Sequence, residues 1–131
     1  MTDAEILTVV RKLEQCVFAP SEFHHRDHLA VCVVYLYGAD LEAAMDRMRS
    51  SLLRFTAHHN VKGYHETITR FWIRLVDQHL DRRLCLAAAV GQIQAELGDK
   101  NIIFNYYSKE LLSSADAKQR WIEPDQIVGC H

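Results

Sequence analysis

The sequence predicts an all-α, single-domain multi-helix bundle, and three observations lead to this fold class. The chain has 131 residues, of which 49% are hydrophobic and 24% charged, as is typical of one domain with its own core. It contains only five Gly and two Pro, too few turn-forming residues for many short strands. Apolar residues recur three and four positions apart, which is the period of an α-helix. We expect one domain over residues 1–131, with five main helices, short C-terminal helices and an irregular tail from about residue 124.

The first two helices are predicted from their ends. Thr2 and Glu5 have the spacing of a capping box ahead of an apolar pattern that continues to a break at residues 19–21. A second helix is expected from near His25 to Gly38, a residue suited to a left-handed C-cap.

The later helices follow by the same reasoning. Asp40 is a suitable N-cap for a third helix that runs to about His58. Residues 59–63 are a predicted loop before a fourth helix, and a fifth helix ends at Gly98. Residues 101–107 are less regular. Two short helices are then expected, each opened by a serine N-cap, over Ser108 to Leu112 and Ser114 to Ile122.

Charge and hydropathy exclude some classes of partner. The formal net charge of -2 and a pI near 6.4 provide no basic field for a nucleic acid. No apolar run is long enough to span a membrane, and the first residues do not resemble a signal peptide. We therefore expect a cytoplasmic protein with a small molecule as its partner. The four cysteines have no C-x-x-C spacing, so neither a zinc knuckle nor a disulfide framework is predicted. The oligomeric state is not predictable from these features.

Eight histidines are the most unusual feature of the composition. His25 and His28 are three residues apart on the second helix, and so share its apolar face, while His24 with His28 offers a four-residue spacing. His65 is in phase with the buried face of the fourth helix. We interpret His58 and His59 as a solvated helix end, with a smaller chance that one of them joins the site.

Three inward imidazoles suit a divalent transition metal (iron, copper or zinc), with a coordination position left open for water or substrate. The sequence therefore predicts a metal site at His25, His28 and His65. The competing interpretation is that each is a hydrogen-bonded core histidine. Glu66 can be a fourth ligand, a general base, or a first-turn carboxylate favoured by the helix dipole.

Other polar residues near these motifs complete the predicted site. Glu66 and Tyr107 are the catalytic candidates. The candidates for ligand binding are Tyr64, Thr69, Ser108 and Arg26. Each also has a structural interpretation as a cap, a packing residue or a surface ion pair.

Three motifs occur together along the chain. They are Phe23-x-His25-x-x-His28-Leu29, then Tyr64-His65-Glu66-Thr67-x-Thr69, and finally Tyr106-Tyr107-Ser108-x-Glu110-Leu111-Leu112 followed by Ser114, Ala117 and Pro124-Asp125. Over roughly residues 20 to 126 the chain resembles a family of small bacterial proteins that share this order of motifs and have no established reaction. The resemblance favours His25 over His24 as the partner of His28. It implies nothing for Cys130 and His131.

These features lead to two functional hypotheses of different classes. The first is a small metal-dependent enzyme that acts on a small molecule at the three-histidine site. An oxygen-using oxidoreductase is favoured over a hydrolase or lyase because no further hydrolytic carboxylate accompanies Glu66. The second is a non-catalytic metal- or small-ligand-binding protein that uses the same histidines. A purely structural or interaction module is the third alternative.

Overall fold

A computed structural model of the chain describes residues 1–126, and all regular structure in this range is helical, which confirms the predicted fold class. The seven α-helices of this range are α1 (Asp3–Glu14), α2 (His25–Gly38), α3 (Leu41–His58), α4 (Glu66–His79), α5 (Leu86–Leu97), α6 (Lys109–Leu112) and α7 (Ala115–Gln119). Short 3₁₀-helices span Pro20–Glu22 and Lys100–Asn105. The residues Cys130 and His131 lie outside the described range.

Helix α2 is the centre of the bundle. It contacts α1, α3, α4 and α5, and its buried residues surround the helix: Leu29, Ala30, Val31, Cys32, Val33, Tyr35 and Leu36. The sequence pattern predicts burial of one face only, but a helix that is apolar on all sides is stable only when it is enclosed. The first turn of α2 is less enclosed, since Arg26 is exposed and His25 and His28 are partly buried.

The predicted N-caps of α1, α3, α6 and α7 are present. Thr2 and Glu5 form the capping box, with N···O distances of 2.9 and 3.2 Å. Asp40 caps α3, and Ser108 and Ser114 cap α6 and α7, each through a side-chain oxygen that accepts from a backbone N–H three residues later.

Some predicted helix ends differ from those in the structure. Helix α1 ends at Glu14 because the chain turns through Cys16, whose φ of 58° is incompatible with a continuing helix. Gly38 is the last residue of α2 and is not a left-handed cap, since the chain leaves through an extended Ala39. Helix α7 ends at Gln119, three residues earlier than predicted, because Arg120 is extended.

The chain beyond α5 folds back onto α4, and we call residues 106–126 the C-terminal segment. Thr67, which is fully buried on α4, holds this segment with its hydroxyl group. The hydroxyl donates to the carbonyl of Arg120 at 2.8 Å and accepts from the N–H of Ile122 at 3.2 Å. Thr67, a residue of the second sequence motif, thus attaches the end of the chain to α4.

No helix within residues 1–126 is both long and apolar enough to cross a membrane.

Candidate functional site

The first predicted ligand, His25, is the first residue of α2 and packs its ring edge on Trp72, with ring centroids 4.4 Å apart. Its Nε2 lies 2.9 Å from the carbonyl oxygen of Leu97, at the end of α5. Because a carbonyl only accepts, Nε2 of His25 must carry the hydrogen. The neutral ring therefore keeps a free lone pair on Nδ1.

His65 has a different position from the one predicted. It is the N-cap of α4, not a member of the helical face, and its Nδ1 accepts from the N–H of Ile68 at 3.1 Å. Its Nε2 lies 2.7 Å from the carbonyl oxygen of Leu112 and is the donor in that hydrogen bond. Both ring nitrogens are thus engaged with the main chain, and His65 has no lone pair left for a metal.

These two histidines are held by different parts of the fold. Within residues 1–126, no group of three or more His, Cys, Asp or Glu side chains is arranged to hold a metal ion. The geometry therefore gives no support to a shared centre formed by His25, His28 and His65.

Glu66 belongs to an ion-paired cluster at the start of α4. Arg49 of α3 donates from Nε and one terminal nitrogen to the two carboxylate oxygens, at 2.9 and 2.6 Å, and the Tyr64 hydroxyl donates to Oε1 at 2.5 Å. The bonds from Arg49 lower the pKa of Glu66, although burial opposes them. Burial raises the pKa of Tyr64. An ionised carboxylate with a lowered pKa is a poor general base near neutral pH.

Tyr107, the second catalytic candidate, is fully buried. Its hydroxyl donates to the carbonyl of Ile122 at 2.5 Å, within the C-terminal segment. Burial raises the pKa of Tyr107, so the phenol stays protonated as a hydrogen-bond donor. Tyr107 therefore holds the C-terminal segment together through its hydrogen bond to Ile122.

The predicted ligand-binding residues do not converge with His28 on one cavity. Ser108 caps α6, and its Oγ and N–H bond the Asp125 carboxylate at 2.5 and 2.7 Å. Thr69 is buried within α4, Tyr64 lies in the Glu66 cluster, and Arg26 is exposed.

Three buried side-chain atoms within residues 1–126 make no hydrogen bond, Nε2 of His59, Oε1 of Gln92 and Nε2 of His28, and of these only His28 is a predicted site residue. Its Nε2 is buried and makes no hydrogen bond within the described chain. Burial lowers the pKa of His28 to about 4, and the neighbouring His25 adds to this effect. The imidazole is therefore neutral at pH 7.

A cavity of about 220 Å³ lies beside this ring, lined by Phe23, His24, His25, His28 and Leu52. The aromatic ring of Phe23 packs edge-on against His28, with ring centroids 6.1 Å apart, and its centroid lies 5.9 Å from that of Phe55. We call this cavity the His28 pocket. Its walls combine apolar surface with imidazole groups, as small-molecule sites commonly do.

Two residues of these clusters escaped prediction from the sequence. Arg49, which fixes Glu66, is one of three arginines on α3, and such residues are common on solvated helix faces. Leu52 of the His28 pocket belongs to that stripe and has no sequence feature that separates it from a core residue.

Comparison with known proteins yields no match, whether to a family model, to a curated protein or to a solved structure.

Proposed function

We propose that this protein binds a small, uncharged molecule in the His28 pocket, as a ligand-binding protein without catalysis. The observation that carries the proposal is the buried, partnerless Nε2 of His28 beside a cavity. A buried polar group without a partner costs about 1–3 kcal/mol, and native proteins contain few of them. A ligand that supplies the missing hydrogen bond accounts for the retention of this group.

The pocket walls indicate the chemistry of the ligand. His28 is neutral at pH 7 because of its low pKa, so it offers one hydrogen-bond donor or acceptor and no charge to hold an anion. Phe23 and Leu52 offer apolar surface. Because Nε2 is covered, we expect a rotation of the imidazole to accompany binding. The ligand that fits pairs a small apolar ring with one hydroxyl, carbonyl or amide group.

The positions of the two catalytic candidates, Glu66 and Tyr107, support binding without catalysis. Glu66 is held as a carboxylate by Arg49, and the hydroxyl of Tyr107 is committed to the Ile122 carbonyl. Neither residue lines the His28 pocket.

The test is a titration of histidine-labelled protein with phenol, benzyl alcohol and benzamide, followed through the side-chain nitrogen resonances. We expect at least one of these probes to shift the His28 resonances, and His28→Leu to abolish its binding. His79→Gln is the matched control, because His79 is exposed on the far end of α4. Binding that persists unchanged in His28→Leu, or an absence of any shift at His28, contradicts the proposal.

A metal-dependent function is the second candidate, and one observation favours it. The Nε2–H of His25 is oriented by the Leu97 carbonyl, an arrangement that commonly orients metal-binding histidines and leaves Nδ1 as the ligand atom. His25 and His28 would then supply two nitrogens to zinc, copper or iron, and the remaining positions would belong to water or a substrate.

Dialysed, untagged protein titrated with Zn²⁺ and Co²⁺ separates the two candidates. Stoichiometric binding that is lost in both His25→Ala and His28→Ala, and retained in His65→Ala, supports the metal. Full titration of His28 by acid with no metal uptake eliminates it.

A further inference from the structure

A second surface, distinct from the His28 pocket, gathers positive charge in a protein with a net charge of -2. A shallow groove of about 610 Å³ runs between α3, α4 and the C-terminal segment. We call it the basic groove, and define it by Arg49, Arg70, Lys118, Arg120, Tyr64 and Trp121. A smaller cavity of about 330 Å³, with Lys62 in its wall, adjoins it through Tyr64 and Lys118.

Glu66 is the one carboxylate in the lining of the basic groove, and it is already paired with Arg49, which also binds the exposed Asp46 at 2.9 Å. Arg49 binds both carboxylate oxygens of Glu66 and Tyr64 donates to one of them. This leaves Arg70, Lys118, Arg120 and Lys62 as cations not balanced from within the groove.

The carboxylates at the rim hold these cations weakly. Arg70 lies 3.5 Å from Glu42, whose side chain is 73% exposed, and Arg120 lies 3.4 Å from Asp116, which is 71% exposed. Within residues 1–126, no ion pair involves Lys118 or Lys62. Exposed ion pairs of this kind contribute about 0–1 kcal/mol, so a partner's carboxylates can replace them at little cost.

Shape and apolar surface identify the kind of partner. The groove is open and extends across α3, α4 and the C-terminal segment, which suits an extended segment of chain. It also has Leu53, which is 45% exposed, along its lining, and a partly exposed Trp121. We propose that the basic groove binds an acidic peptide segment of a partner protein, with carboxylates on the cations and an apolar side chain between Leu53 and Trp121.

The probe is a fluorescein-labelled peptide of sequence Glu-Glu-Leu-Glu-Glu-Leu, with a lysine-for-glutamate peptide as its charge control. Binding is followed by anisotropy and mapped on the backbone amide resonances of the whole chain. We expect the acidic peptide alone to bind, to shift amides of α7 and the end of α3, and to weaken as salt screens the charges.

Charge reversals provide the decisive comparison. The double variant Lys118→Glu with Arg120→Glu should weaken binding about tenfold or more, while Arg11→Glu, an exposed residue of α1, should leave it unchanged. Equal loss in Arg11→Glu overturns the proposal. So does an absence of peptide binding at low salt, or binding of inorganic phosphate alone at the same amides, which indicates a small anion as the natural ligand.

Discussion

Replacing His28 with leucine should stabilise the free protein, although His28 belongs to one of the three sequence motifs. The substitution removes a nitrogen that has no hydrogen-bond partner and puts an apolar side chain beside Phe23 and Leu52. Since the unsatisfied group costs about 1–3 kcal/mol and the change of shape offsets part of the gain, we expect the free energy of unfolding to rise by about 1 kcal/mol at pH 7.

The gain should widen as the pH falls. The pKa of His28 is lowered from 6.5 to about 4 in the folded protein, so between these values the unfolded chain binds a proton that the native state does not. The wild type therefore loses stability through this group from pH 6.5 down to about pH 4, by up to about 3 kcal/mol. Leucine has no such proton. His25 lines the same pocket and helps to lower the pKa of His28. It is present in both proteins, so its own protonation does not account for the difference between them.

Urea denaturation of both proteins between pH 7 and pH 5 measures the two effects. At pH 5 the leucine variant should exceed the wild type by roughly 2 kcal/mol more than it does at pH 7. The comparison variant is His25→Leu, which leaves the Leu97 carbonyl without its donor and should lower stability at pH 7. If His28→Leu destabilises the protein as much as His25→Leu does, and the difference is independent of pH, then His28 has an internal partner and the reasoning fails.

Three further substitutions test the contacts around α4. Arg49→Met should lower the free energy of unfolding by about 1–3 kcal/mol and raise the pKa of Glu66 in a carbon-13 carboxyl titration, since the carboxylate loses both arginine bonds; an unchanged pKa contradicts this. Thr67→Val should lower the free energy of unfolding by about 1–3 kcal/mol and speed hydrogen exchange at Ile122. Thr67→Ser, which keeps both hydrogen bonds, should have neither effect. Tyr107→Phe should cost about 1–2 kcal/mol by thermal unfolding, because the Ile122 carbonyl loses its donor; equal stability of the two proteins argues against that bond.

The helices were predictable because their determinants are local. The apolar period of α3 and the serine caps of α6 and α7 depend on residues within one turn of each other, and the structure contains them. One of the mispredicted ends depends on a distant part of the chain. Helix α7 stops at Gln119, and the chain beyond it pairs with Thr67, 53 residues away from Arg120.

The candidate site was harder to predict for a related reason. Helical phase indicates which way a side chain points, but not what it meets there. The spacing of Tyr64, His65 and Glu66 carries no information about Arg49, which comes from another helix and determines the charge state of Glu66.

His65 and His28 show how this limits inference from histidine clusters. Each lies at the start of a helix with an apolar face, and the sequence pattern predicts an inward imidazole at both positions. His65 meets the N–H of Ile68 and a carbonyl 47 residues further along the chain, so its two nitrogens are satisfied by the fold itself. His28 has a nitrogen that the described fold leaves unsatisfied. A buried polar group that is hydrogen-bonded within the fold calls for no further explanation. A buried polar group without a partner lowers stability, so its presence does call for one. The search for the function of this protein therefore begins at His28, with ligands that can complete its hydrogen bond.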